Sequence, residues 1–270
     1  MSGPDIGDFR RVVYEFYRHH KRTLPWREDI TPYRVLVSEI MLQQTQVERV
    51  IDKYLPFLSL FPDFPSLASA SLRDILLAWQ GLGYNRRALL LKRLSERVVE
   101  RHGADLPADR DELHALPGVG EATAGAVLAF AFNVAVPFIE TNIRRVIIHH
   151  FFQGADKIPD RQIMPVVVAV LDRENPLDWY WALMDYGSFL GRAVDNPNRR
   201  SAHYNRQGPF AGSDRKVRGE VIRALLGTEA MSADDIASVT GLDAGRLVRT
   251  LGAMMQDGLV AENRGLYSIV

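Results

Sequence analysis

Two carboxylates and a glycine hairpin are the features of this chain best equipped to do chemistry. Glu39 lies in the run Ser38-Glu39-Ile40-Met41-Leu42-Gln43-Gln44-Thr45. On a helix it shares a face with Val35 four residues before and Leu42 three residues after, which ties its carboxylate to an apolar stripe. Partial burial raises the pKa of such a group, and a carboxyl kept protonated near neutrality is a general acid for a poor leaving group. The alternative is a helix-surface acid paired with a neighbour. Glu140 precedes Thr141-Asn142, which can cap a helix carrying Arg144 and Arg145. It reads either as a second reacting carboxylate or as the neighbour of that cap. Leu116-Pro117-Gly118-Val119-Gly120, followed by Glu121-Ala122-Thr123-Ala124-Gly125-Ala126, reads as helix, tight turn and helix, with Asp111 able to cap the first. Glycines at the start of a helix whose first N–H groups lack internal partners make a seat for a phosphate oxygen. The segment is either a holder of a DNA backbone or a tight loop between packed helices.

The elements that must position these groups show helical periodicity almost throughout. Phe9, Val12, Val13, Phe16 and Tyr17 recur at intervals of three and four. Thr31-Pro32 opens a second helix predicted to run from Pro32 to about Gln46. Further helices are predicted from Val47, over Leu72 to Trp79 with Ser71 and Asp74 spaced as a capping box, and over Arg86 to Arg101. Pro62, Pro65 and Gly81 to Gly83 punctuate them. After the hairpin, Glu121 to Phe132, Asn142 to Phe152, Ile163 to Leu171 and Trp179 to Leu190 continue the pattern, so the predicted body, residues 1–195, is all-α.

Composition narrows the class. The 270 residues are 47% hydrophobic and 24% charged, enough for one large or two modest cores. No run of about 18 apolar residues occurs and the N-terminus lacks the apolar core of a signal peptide, so a cytoplasmic address is expected. There is no cysteine, which excludes disulfides, thiolate nucleophiles and metal clusters held by thiolates. His19-His20 and His149-His150 are adjacent pairs without chelating spacing, and no metal site is predicted. Formal net charge is zero, yet Arg199, Arg200, Arg206, Arg215, Lys216 and Arg218 crowd one stretch. That stretch either follows a phosphate backbone or is a solvated basic linker.

Residues 196–213 have no apolar period and read as that linker. Beyond them, 214–270 read as three helices and a small hairpin around Asn263-Arg264-Gly265, a winged-helix-like module that binds DNA or another protein.

Leu24-Pro25-Trp26-Arg27, Thr31-Pro32-Tyr33, Ser38 to Val47, Gly81-Leu82-Gly83-Tyr84 and Leu116 to Gly120 together resemble the MutY adenine DNA glycosylases of the helix-hairpin-helix superfamily, which includes endonuclease III. The resemblance covers roughly residues 8 to 192. It implies a two-lobed body, with an extruded nucleotide in the cleft between helical lobes. It makes Glu39 the general acid that protonates the departing purine, and Glu140 the carboxylate that stabilises the cationic sugar. Gln44 and Tyr84 match residues that wedge into the duplex and support the opposite base, Asn142 the polar partner of the carboxylate, and Trp26 and Arg27 residues around the base pocket. Gly118, Val119 and Gly120 match the phosphate-holding hairpin, with Arg199, Arg200 and Arg215 as further backbone contacts. In bifunctional relatives a lysine at the position of Ala122 forms a Schiff base, so base removal without strand cleavage is expected.

Four departures bear on the substrate. Glu140 stands where the family has aspartate, and Trp181 stands where adenine-specific members carry Glu or Gln. The four-cysteine iron–sulfur loop is missing, and the length leaves no room for a separate domain that reads 8-oxoguanine. The expected activity is base excision repair of double-stranded DNA, first of adenine opposite guanine or 8-oxoguanine. The alternatives are thymine or uracil in mismatches, or damage binding without catalysis. No cofactor is expected beyond a monovalent cation at the hairpin carbonyls, and the expected state is a nucleoid-associated monomer.

Overall fold

The computed structural model describes residues 4–205, 208 and 212–270, so Arg206 of the basic stretch lies outside the described residues. In chain order the helices are α1 Ile6–His20, α2 Pro32–Leu42, α3 Val47–Leu60, α4 Phe64–Ser69, α5 Leu72–Trp79, α6 Arg86–His102, α7 Arg110–His114, α8 Glu121–Phe132, α9 Thr141–Phe151, α10 Asp160–Val170, α11 Pro176–Ala193, α12 Asp214–Leu226, α13 Ala233–Thr240 and α14 Ala244–Asp257. The strands are β1 Met231–Ser232, β2 Val260–Asn263 and β3 Leu266–Ile269. The mostly helical fold with a small C-terminal sheet agrees with the periodicity. Among the described residues no helix is long and apolar enough to cross a membrane.

The chain forms two compact units, neither of them one continuous stretch. The first takes in Met1–Leu36, Pro107–Ala115 and Val119–Arg206, and the second Val37–Leu106, Leu116–Gly118 and Gln207–Val270. In the first, α1 buries Phe9, Val13 and Tyr17 on one face, while Val12 stays exposed. α9 lies close against α11 because position 187 has no side chain: a Cβ there would come within 2.6 Å of the Asn142 carbonyl oxygen. α8 is buried from Ala124 to Phe130, and Gly125 admits the Phe138 ring into the space a Cβ would need.

The second unit gathers α3 to α6 around Tyr54, Phe57, Leu67, Ile75 and Trp79. α4 interrupts a stretch read as proline punctuation. Pro65 falls in its first turn, where a missing N–H costs nothing, and Asp63 and Ser66 form a capping box. The C-terminal module belongs to this unit. Ser232 caps α13, Asp243 caps α14 and Gly258 ends α14 at φ 79°. Its sheet has the order β1-β3-β2, all antiparallel, with Met231 opposite Tyr267 and Glu262 opposite Tyr267 on the other side. Arg73 of α5 donates to the carbonyls of Leu225, Leu226 and Thr228 at the end of α12. Three backbone carbonyls with no partner in an isolated α12 are thereby answered from the body of the unit.

Three local expectations are corrected. α2 ends at Leu42 instead of Gln46, since Gln44 takes a left-handed φ of 54° that cannot continue a helix. Asp109, not Asp111, caps α7 by accepting from the amides of Asp111 and Glu112. Glu140 itself, and not Thr141 or Asn142, caps α9. The stretch 196–213 read as a linker is ordered at its start, where Pro197–Arg200 form a 3-10 turn and Ala202 N–H donates to the Ile158 carbonyl at 2.9 Å.

Because the α9–α11 approach depends on a missing Cβ, Gly187→Ala forces overpacking. We expect a loss of about 1–3 kcal/mol in urea unfolding.

Candidate active site

Glu39 is half-buried on α2, between the buried Ser38 and Ile40. One helical turn later, Gln43 Nε2 donates to the Gly118 carbonyl at 3.3 Å, so the helix that carries the acid is tied to the hairpin. Gly118 is exposed at φ 81°, and a Cβ there would also meet Leu90 Cβ at 3.1 Å, so both backbone conformation and space require glycine. Val119 is buried and anchors the turn. Gly120 caps α8 and puts no side chain over its first turn. Ala122 is half-buried in that first turn.

Gln44 and Tyr84 both have positive φ, 54° and 49°. One buried side chain fixes both turns. Arg87 Nη1 donates to the carbonyls of Ile40, Met41 and Gln43 at 2.7–2.8 Å, closing the end of α2. Its Nη2 donates to Thr45 Oγ1 at 2.8 Å and to the carbonyls of Gly83 and Leu82 at 3.1 and 3.3 Å. The guanidinium also lies over the rings of Trp79 and Tyr84. Burial pushes its pKa down to about 10, against the pull of Tyr84, so it stays charged at neutral pH.

In the first unit the Glu140 carboxylate accepts from the amides of Asn142 and Ile143 at 2.6 and 2.7 Å and from Asn142 Nδ2 at 3.3 Å. Burial raises this carboxyl above its ordinary value, opposed by those two amides and by the charges of Arg145 and Arg144. Arg145 holds the arrangement, donating to Asn142 Oδ1, the Gly187 carbonyl and Asn196 Oδ1 at 2.7–3.0 Å. Arg144 is paired with Asp160 at 2.6 Å. Asn142 thus touches the Glu140 carboxylate with both its backbone and its side-chain amide.

Trp26 and Trp181 are both buried. The Arg27 guanidinium lies 5.2 Å from the Trp181 ring centroid and is held bidentately by Asp185, each bond 2.9 Å, with Arg22 on the same carboxylate at 2.6 Å. Trp181 therefore faces a fixed cation on a buried ion pair. Of the basic stretch, Arg199 pairs with Asp195 at 2.6 Å, and Arg200 donates to the Phe152 and Ile148 carbonyls that end α9. Arg215 donates to Tyr84 Oη and the Gly208 carbonyl, both at 2.8 Å. Much of that positive charge is engaged inside the fold. A thiolate-held cluster does not fit, since the chain has no cysteine. Instead Asn196, Asn198 and Arg200 tie the segment after α11 to α9, Asn198 Nδ2 donating to the Thr141 carbonyl at 2.9 Å.

Residues 37–165 match the model of the HhH-GPD superfamily base excision DNA repair proteins. The chain is 32% identical over 268 residues to an adenine DNA glycosylase of Mycolicibacterium smegmatis, covering 93% of this chain and 92% of that one. The chain belongs to the adenine DNA glycosylase family. An adenine DNA glycosylase of Mycobacterium tuberculosis is 33% identical over 291 residues, with 96% and 92% covered. Among solved structures, a thermostable thymine-DNA glycosylase superposes with a TM-score of 0.63 at 24% identity, covering 71% of this chain and 91% of that one. An endonuclease III–DNA complex superposes with a TM-score of 0.56 at 18% identity, covering 78% and 92%. At these identities the two structures speak to the fold alone.

Sequence reasoning missed Arg87, Asp185 and Asn196. Two of them left a signal. Arg86-Arg87 opens a helix, where the macrodipole disfavours cations, and Asp185 interrupts the apolar run of α11. Burial works against the Asp185 charge, but Arg27 and Arg22 outweigh it and hold the carboxyl below its ordinary value. The stabilisation is therefore complete above pH about 4 and is lost as pH falls through the depressed value. Asp185→Asn is expected to cost about 3–5 kcal/mol at neutral pH, because it strands the buried Arg27 charge. In urea titrations at several pH values, the gap from the parent should close under acid.

Proposed function

We propose that this protein is a DNA glycosylase that hydrolyses the N-glycosidic bond of a mispaired adenine, with guanine or 8-oxoguanine as the first opposite bases to test. The observation that carries this reading is Glu39, half-buried on a helix tied to the glycine hairpin, in a chain of the adenine DNA glycosylase family. Its partner is double-stranded DNA, bound by a monomer at the nucleoid.

Glu39 delivers a proton to the purine ring, so the base departs with the electron pair of the breaking C1′–N bond. The sugar is left with cationic character, and the Glu140 carboxylate stabilises it. Water then places its hydroxyl on C1′ and releases its proton, leaving an abasic site. Capping of α9 fixes the Glu140 carboxylate before substrate arrives. Gly118, Val119 and Gly120 seat a phosphate, Gln44 and Tyr84 enter the duplex, and Arg199 adds charge toward its backbone. Ala122 offers no amine for a Schiff base, so no strand cleavage accompanies base removal.

Base release from duplexes carrying A:8-oxoguanine, A:G, T:G and U:G is the direct test. Release is expected from the first two and is expected to fall by about 100-fold or more in Glu39→Gln. Binding without release from any of the four duplexes would reject the enzyme reading. Release from T:G or U:G alone would move the substrate to thymine or uracil.

Aspartate can make the same cap as Glu140, and it is the family's residue at this position. Glu140→Asp is therefore expected to keep or raise the single-turnover rate. A complete loss would mean that the surroundings are built around the longer side chain.

A further inference from the structure

We infer that α1 and α11 together carry a site for single-stranded nucleic acid, where exposed rings stack on bases and two unpaired cations meet the phosphates. The site lies wholly within the first unit and takes no part in base release. It starts from Arg18-His19-His20-Lys21-Arg22, a basic run at the end of α1 in a chain whose formal net charge is zero.

The rings form one cluster across the two helices. His20 stacks on Phe16, four residues earlier, with ring centroids 4.5 Å apart and planes 11° from parallel. The Phe16 centroid is also 5.0 Å from those of Tyr186 and Phe189 on α11. Tyr186 is buried and anchors the cluster, Phe16 is half-buried, and His20 and Phe189 face water, Phe189 with 43% of its surface open. Single exposed apolar residues are ordinary on a protein surface, whereas a cluster of rings bordered by charge marks a contact.

The charge beside the cluster is the independent observation. Lys21 follows His20 directly, and its Nζ is held 5.3 Å from the centroid of the Tyr17 ring and 5.7 Å from that of Trp181. Arg192 is exposed one turn after Phe189. Neither cation forms an ion pair among the described residues, because the nearby acids are already engaged: Glu15 with Arg11 and Arg18, Asp185 with Arg22 and Arg27, and Asp195 with Arg199. The surface therefore asks for an anion next to a flat apolar group. A duplex hides the faces of its bases and an acidic peptide offers carboxylates without repeated rings, whereas a single strand supplies an open base and a phosphate in every nucleotide.

The test measures fluorescence anisotropy of a short labelled oligothymidylate, and of a labelled duplex of similar length, on the full chain. Phe189→Leu keeps apolar bulk and removes the ring, Phe189→Tyr keeps the ring, and Lys21→Gln removes one charge. Phe189→Leu is expected to weaken oligothymidylate binding about fivefold or more while duplex affinity stays within about twofold, and Phe189→Tyr is expected to bind like the parent. Lys21→Gln is expected to lower the slope of log affinity against log salt by roughly 0.7. A parent that does not bind oligothymidylate at low salt, an unchanged affinity in Phe189→Leu, an equal loss in the leucine and tyrosine variants, or an equal loss on the duplex would overturn the proposal. So would a glutamate-rich peptide that displaces the oligothymidylate and shows the same loss in Phe189→Leu, which would give the surface to an acidic protein. Base release from an A:8-oxoguanine duplex is measured alongside, and its absence would remove the enzyme reading while leaving this site in place.

Discussion

The second unit depends on one buried guanidinium. Arg87 sits at the start of α6, where the helix dipole opposes it, with its Nε lacking a hydrogen-bond partner among the described residues. Its two terminal nitrogens gather carbonyls from the end of α2 and from the Leu82-Gly83 turn, together with the Thr45 hydroxyl. Carbonyls at a helix end and in a tight turn have no partners of their own, and buried ones are costly to leave unmet. A lysine has the charge but not the planar pair of nitrogens needed to serve both segments. The positions of Gln44 and Tyr84 follow from this arrangement and not from secondary-structure preference.

The first unit solves a similar problem at Glu140 by different means. The carboxylate is held by the helix that it caps, and Arg145 links the adjacent Asn142 to Gly187 and Asn196. Missing side-chain volume is part of the design, since the closeness of α11 at Gly187 brings a backbone carbonyl within reach of Arg145. The charge of Glu140 is thus balanced by dipoles and by cations already engaged elsewhere. That leaves it fixed in place without a direct ion pair among the described contacts.

Much of this was legible in the residues. Periodicity located most of the helices, the motif order pointed to the family, and three helices with a hairpin around Asn263-Arg264-Gly265 marked the winged-helix-like module. Failures cluster where long-range partners decide. α2 stops early because Arg87, more than forty residues on, takes its last carbonyls. Strand β1 has only two residues and exists through its pairing with β3, Met231 opposite Tyr267 and Ser232 opposite Leu266. Asp109 competes with Asp111 for one helix start, and spacing alone does not rank two aspartates two residues apart. The basic stretch reads from composition as solvent-facing charge, yet Arg200, Arg215 and Arg218 each find a partner within the fold.

Gln44 and Tyr84 occupy a backbone region where L-residues with a side chain are disfavoured by roughly 1–2 kcal/mol apiece. Glycine would relieve both turns, so the native molecule forgoes that gain in order to present an amide and a phenol there. Any programme that ranks substitutions by thermostability alone would favour replacing these two residues first. It would select a sturdier protein without the amide and the phenol proposed to enter the duplex.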